Sequence, residues 1–193
     1  MQAILTEADL VNQARAGDAA AWETLIVTHQ EAVFRLAYLL LGHAGDAEDV
    51  AQDTFIRAYR YLNTFDDSRA LRPWLLSISA NLARNRRRSL GRYVHQLGRL
   101  ARLNPEPVSD VEYDAARRDE AQALWRAVGR LDAVDQQIIY LRFFLELSVE
   151  ETAETLNIAA GTVKSRLHRA LGRLRGVVAS DFPALWREGV ADE

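Results

Sequence analysis

Lys164, Arg166, His168, Arg169, Arg173 and Arg175 crowd into one short stretch near the C-terminus, and no aspartate or glutamate occurs from Thr162 to Arg175. Val163, Leu167, Ala170, Leu171 and Leu174 recur among them at helical spacing, so the polar residues, Ser165 included, share the remaining surface of one amphipathic helix. A helix that shows solvent only positive charge is fitted to approach a polyanion, and DNA is the leading candidate. The chemistry on offer is recognition: charge-assisted hydrogen bonds to phosphate and to base edges. The competing reading is a solvated helix of a bundle, but such a helix ordinarily mixes its charge signs.

A second, shorter helix must lead into this one. Ser148 followed by Glu151 has the spacing of a capping box. Val149, Ala153 and Leu156 then face inward, and Asn157 suits the turn because it tolerates a left-handed backbone. Helix, tight turn, helix is the layout in which the second helix lies in the major groove with its first residues against base edges. Lys164, Ser165, Arg166, His168 and Arg169 are the expected readers and phosphate clamps.

The formal net charge of −3 argues against a nucleic-acid partner until its distribution is read. Residues 1–56 are acidic, with Arg15 and Arg35 as their only cations, whereas residues 57–103 are rich in arginine and contain only Asp66 and Asp67 as acids. Residues 104–161 are acidic again, and 162–175 are purely basic. Two separated basic blocks point to two DNA contacts, with acidic surface left for protein. Lys164 is the sole lysine among 24 cationic residues, which favours bidentate contacts over point charges.

Other classes of function find little support. Cysteine is absent, which excludes disulfides, thiolate zinc sites and thiol catalysis. His29, His43, His95 and His168 are scattered, with no Ser/His/Asp set or glycine-rich phosphate loop beside them. Neither an enzyme nor a cofactor or metal site is expected. The N-terminus lacks the pattern of a signal peptide, and the most apolar run, 36–41, is too short for membrane insertion, so a cytoplasmic location is expected.

With four prolines and little β-branched alternation, the chain is expected to be all-α, as two small helical domains joined by a flexible linker. The boundaries expected are 1–92, a linker at 93–108, a second domain at 109–176 and a tail at 177–193. Thr6 with Asp9 caps a short helix to about Ala16, and Asp18 caps a long one to about Leu41 with Trp22, Leu25, Ile26, His29, Val33, Leu36, Ala37 and Leu40 inward. A helix starts at Asp46 and runs to about Leu62. A polar loop then holds Phe65, which looks exposed, and a helix around Pro73 buries Trp74, Ile78 and Leu82 before ending at Arg84–Arg88. Further helices are expected at about 109–129 and 132–145. The tail offers a short helix around Phe182–Trp186.

Two segments carry a family resemblance. Residues 46–60 (DAEDVAQDTFIRAYR), Phe65 and residues 73–87 (PWLLSISANLARNRR) form the first, and residues 131–142 (LDAVDQQIIYLR) with 161–170 (GTVKSRLHRA) form the second. In this order and separation they resemble bacterial RNA polymerase sigma factors of the extracytoplasmic-function (ECF) group, which carry only regions 2 and 4. The resemblance implies a specificity subunit without a catalytic site of its own, which binds core RNA polymerase and promoter DNA, melts DNA to start transcription, and is held by an anti-sigma factor. It implies that Asp49, Gln52 and Asp53 dock on the polymerase, although acids also simply favour a helix start. It implies that Phe65, Leu76, Ile78 and Asn81 build a pocket for a base flipped out of the minus-10 element, with Arg84, Arg86, Arg87 and Arg88 on nearby phosphates. Thr162, Lys164, Ser165, Arg166, His168 and Arg169 correspond to the minus-35 recognition helix. Ala159 departs from the proline or capping residue frequent there. The alternative is a stand-alone helix-turn-helix regulator, which leaves the first arginine block beside Asn81 without a purpose.

Overall fold

The computed structural model describes residues 5–97, 115–183 and 185, and every regular element among them is helical. The chain forms two compact units, one built on its first four helices and the other on its last four.

In the first unit, α1 spans Glu7–Arg15, α2 Ala19–Leu41, α3 Ala44–Tyr61 and α4 Leu71–Leu97. The Thr6 hydroxyl accepts from the Asp9 amide at 3.2 Å while Asp9 accepts from the Thr6 amide at 2.9 Å, so the capping box read from the sequence forms. Asp18 caps α2 by accepting from the amides of Ala20 and Ala21 at 2.9 and 3.2 Å. Gly42, at φ 72°, closes α2 in a left-handed cap that a side chain would strain. α3 begins two residues before the expected Asp46, because His43 Nδ1 accepts from the Asp46 amide at 3.3 Å and takes the capping role. α2 packs against each of the other three helices, and α3 against α4. Leu25, Leu36, Leu62, Leu71, Leu75 and Leu76 are fully buried between them. Each such leucine contributes about 1.5–3 kcal/mol of transfer free energy.

α4 outruns its expected end. The linker was expected to begin at 93, yet the helix passes Gly91 and continues through Leu97. One interior glycine costs only about 1 kcal/mol, and Leu90, Val94 and Leu97 keep helical spacing across it. The rest of the expected linker, 98–108, lies outside the described residues, as do 109–114 at the start of the next predicted helix.

In the second unit, α5 spans Ala115–Gly129, α6 Ala133–Ile139, α7 Val149–Leu156 and α8 Ala160–Asp181. Asp132 caps α6 by accepting from the amides of Val134 and Asp135 at 3.0 and 2.9 Å. The helix expected to continue to 145 instead widens into a single π-turn over Tyr140–Phe144, where the Leu145 amide donates to the Tyr140 carbonyl at 3.0 Å. The capping box of α7 forms, with Ser148 accepting from the Glu151 amide at 3.0 Å and its own amide donating to Glu151 at 2.7 Å. Asn157 adopts φ 52°, the left-handed turn expected of it. α8 does not stop near Arg175 but reaches Asp181, since half-buried Val177 and Val178 extend the apolar stripe past Gly176. Residues 177–181 of the expected tail are therefore helix, and Trp186 lies outside the described residues. Among the described residues, no helix is long and apolar enough to cross a membrane.

Candidate nucleic-acid and protein-docking surfaces

α3 presents Asp49, Gln52 and Asp53 to solvent along one face, at i, i+3 and i+4. Ile56, one turn further along that face, is 50% exposed, an apolar side chain beside two acids. The sequence reading missed it, although its spacing from Asp49 and Asp53 was visible. Asp46 is not part of the open edge. Arg86, reaching over from α4, donates to it at 3.0 and 2.6 Å and to Asp49 at 3.2 Å. These bonds, first of all the one to Asp46, raise the affinity of the Arg86 guanidinium for its proton above the ordinary arginine value. Arg86, expected on a phosphate, is thus engaged with two acids of its own unit while its side chain stays exposed.

The expected minus-10 residues separate by burial. Asn81, Arg84, Arg87 and Arg88 are exposed on α4, and Ile78 is half-buried. Arg84 donates to the Asn81 side-chain carbonyl at 3.3 Å, while the Asn81 side chain stays exposed. Leu76 is completely buried, so it supports this face from beneath and offers no contact to a ligand. Phe65 is 8% exposed, against the expectation of an exposed ring. It packs on Trp74 with ring centroids 4.9 Å apart, and Trp74, expected in the core, is only half-buried. Phe65 anchors the loop between α3 and α4, and Trp74 contributes the more accessible of the two rings.

On α8, Lys164, Ser165, His168 and Arg169 are exposed, while Thr162 and Arg166 are half-buried. Val163 and Ala170 are fully buried on the opposite side. No side chain caps the helix at Ala159, consistent with the missing capping residue there. The Ser165 hydroxyl donates to the Thr162 carbonyl at 3.1 Å, and Arg169 Nε donates to the Ser165 carbonyl at 3.2 Å, which leaves the outer nitrogens of Arg169 facing solvent. Arg173 differs from its neighbours. Its Nε and one terminal nitrogen donate to the two oxygens of Asp135 on α6, the latter at 2.6 Å, and the Asp135 side chain is only 3% exposed. Asp135 was read as part of a family motif and given no role; its place in the first turn of α6, where acids are common at the surface, gave no sign of burial.

One cation escaped the sequence reading. Arg142 sits in the π-turn, half-buried, and its Nε is buried with no hydrogen-bond partner among the described residues. A buried guanidinium nitrogen left open is costly until an acceptor arrives.

Sequence comparison covers both units. The profile of Sigma-70 region 2 matches residues 25–93 and that of Sigma-70, region 4 matches residues 121–174. The chain is 30% identical to the ECF RNA polymerase sigma factor SigW of Bacillus subtilis, over 86% of this chain and 92% of SigW. It is 32% identical to the RNA polymerase sigma factor NccH of Alcaligenes xylosoxydans xylosoxydans, over 89% of this chain and 94% of NccH. Among solved structures, the sigma factor RpoE of Bartonella quintana, in complex with the anti-sigma factor NepR, superposes with a TM-score of 0.65 at 26% identity, covering 82% of this chain and 97% of that one. A stand-alone helix-turn-helix regulator would account for the second unit alone, whereas the matches run through the first as well. Two helical units, each with its own exposed cations and each matched by its own sigma region, make this chain a member of the ECF RNA polymerase sigma factors.

Proposed function

We propose that this sigma factor docks on core RNA polymerase through the exposed edge of α3, formed by Asp49, Gln52, Asp53 and Ile56. The acids steer association with a basic partner, and Ile56 supplies apolar area that a charged rim alone would lack. Asn81 and Ile78, with Trp74 beside them, take an unstacked base of the minus-10 element. Opening duplex DNA without ATP requires that lost stacking be offset, and an amide edge beside apolar and aromatic surface is the chemistry that offsets it. Arg84, Arg87 and Arg88 hold nearby phosphates, giving affinity and salt dependence with little sequence information. Thr162, Lys164, Ser165, Arg166, His168 and Arg169 read the minus-35 element.

The observation that carries this reading is the segregation of charge: exposed arginines without an acid partner among the described residues on α4 and α8, and on α3 an exposed acidic edge where Asp53 has no cation partner among them and Asp49 meets only Arg86. The chain acts as a cytoplasmic specificity subunit, with bond-making left to the polymerase. An anti-sigma factor, the kind of partner seen with the RpoE relative, silences it by covering one of these surfaces.

Reconstituted run-off transcription with start-site mapping tests the assignment. Charge reversal at Asp49 and Asp53 abolishes core binding and all run-off. Asn81→Ala leaves core binding intact and lowers open-complex formation. If the reversed variant still binds core and initiates normally, the docking surface is wrong.

A further inference from the structure

α1 has no part in the surfaces above, yet both of its ends reach the loop that leads into α4. From its last turn, Arg15 donates through Nε to the Leu62 carbonyl at 3.0 Å, through one terminal nitrogen to the Phe65 carbonyl, and through the other to Asp67 at 2.7 Å. That second terminal nitrogen also meets the Asn12 side-chain carbonyl at 3.3 Å. The Arg15 side chain is 19% exposed. At the opposite end of α1, Glu7 accepts from the Leu71 amide, the first of α4, at 3.3 Å and pairs with His29 Nε2 at 3.0 Å. One nine-residue helix therefore brackets the loop at both its ends.

Loop carbonyls must find donors somewhere, and here a single planar guanidinium serves two of them and a carboxylate together. Its rigid fork fixes Leu62, Phe65 and Asp67 relative to one another and to α1. The loop's own bonds shape its two halves without tying either to α1: the Phe65 amide donates to the Leu62 carbonyl at 3.1 Å and the Thr64 hydroxyl to the Tyr61 carbonyl at 2.7 Å, while Asp66 accepts from the Ser68 amide and hydroxyl at 3.0 and 2.7 Å and the Arg69 amide donates to the Asp66 carbonyl at 3.0 Å. Phe65, whose carbonyl Arg15 holds, sets the Trp74 ring through their contact at 4.9 Å between centroids. Trp74 lies two turns before Asn81 on α4.

We infer that Arg15 is a positioning residue for minus-10 base capture: it presets the 62–67 loop, and through Phe65 the Trp74 ring, before DNA arrives. The inference rests on the reading that the Trp74–Ile78–Asn81 face takes the unstacked base. Preorganisation of this kind raises affinity without a contact to the ligand, because ordering is complete before binding.

The test uses holoenzyme assembled from core polymerase and full-length Arg15→Met, Arg15→Lys or Asn81→Ala. Dissociation constants are measured for single-stranded minus-10 oligonucleotides from a mapped promoter, with the captured base intact and with it replaced. Discrimination is the ratio of the two. Arg15→Met lowers this ratio by roughly 10- to 100-fold, the scale of an ångström-level misplacement, while core affinity and binding of minus-35 duplex stay as in wild type. Arg15→Lys, which keeps one donor and the charge, restores part of the ratio, and it carries the test alone if Arg15→Met does not fold. A merely structural role would reduce melting temperature and core binding together and leave the ratio unchanged. An unchanged ratio in both Arg15 variants, with Asn81→Ala abolishing it, overturns the inference alone. If Asn81→Ala also leaves discrimination intact, the minus-10 reading fails and the inference with it.

Discussion

Arg169 and Arg173 sit one helical turn apart on α8, and sequence gives no reason to separate them. The structure does: Arg169 keeps its terminal nitrogens in solvent, while Arg173 is bonded to both oxygens of a buried aspartate. Salt dependence turns the difference into a measurement. Each phosphate contact released contributes about 0.9 to the slope of log affinity against log salt, so a fourfold rise in salt weakens binding about 3.5-fold per contact. Arg169→Gln is expected to lower the slope for holoenzyme on promoter duplex by about 0.9, and so to make binding about 3.5-fold less sensitive to a change from about 50 to about 200 mM salt. Arg173→Gln is expected to leave the slope unchanged and to lower the melting temperature instead, because Asp135 remains buried without its cation. Adding Asp135→Asn to Arg173→Gln removes the stranded charge and recovers part of that loss. Titrations by fluorescence anisotropy at several salt concentrations, with thermal melts of the free protein, supply both readouts. A slope that falls equally for Arg173→Gln and Arg169→Gln, with no change in melting, would refute the division of labour on α8.

Two further outcomes follow from single side chains. Ser148→Ala removes one half of the α7 capping box and is expected to cost about 1 kcal/mol, read as a lower urea midpoint, with Ser148→Thr close to wild type. Burial holds the His29 imidazole below its ordinary 6.5, against the opposing pull of Glu7. The unfolded chain therefore takes up a proton that the folded one resists, and stability falls as pH drops below about 6.5, levelling off once the folded imidazole also protonates. Melting temperature measured from about pH 7.5 to about pH 5.5 should show this decline, and His29→Gln should flatten it.

Helix identity and most helix starts were legible because they depend on neighbours in sequence. Thr6 with Asp9, Asp18 and Ser148 with Glu151 each satisfy amides within three residues, and all form as read. The start of α3 was misplaced because histidine is an uncommon cap, and His43 outcompeted the aspartate three residues on. Helix ends were harder. Residues 84–88 and the boundary at 176 were the expected ends, but α4 runs on through Gly91 and α8 through Gly176, because an interior glycine is a weak penalty that continued apolar spacing overrides. The error at Phe65 has a different origin. A lone aromatic in a polar loop looks exposed, and only the packing of Trp74 from the next helix reveals that it is an anchor.

Charge carries the sharper lesson. Read as a row, 84–88 and 162–175 are uniform basic tracts. Folded, each tract commits one arginine to an acid on another helix: Arg86 to Asp46 and Asp49, and Arg173 to Asp135. Counting cations along the chain therefore overstates the DNA-facing charge of both tracts. The committed arginines have consequences of their own, because each joins the helix proposed to meet DNA to a neighbouring helix. In the first unit that neighbour is α3, and Arg86 touches Asp49 at the edge proposed to meet the polymerase. An exposed pair of this kind adds little to stability, of the order of 0–1 kcal/mol. The Arg86 Nε and one terminal nitrogen, both bonded to one Asp46 oxygen, still tie α3 to α4 between the edge proposed to meet the polymerase and the face proposed to meet the promoter. Arg86 therefore links the two proposed surfaces through one side chain, with Arg87 and Arg88 next to it on α4.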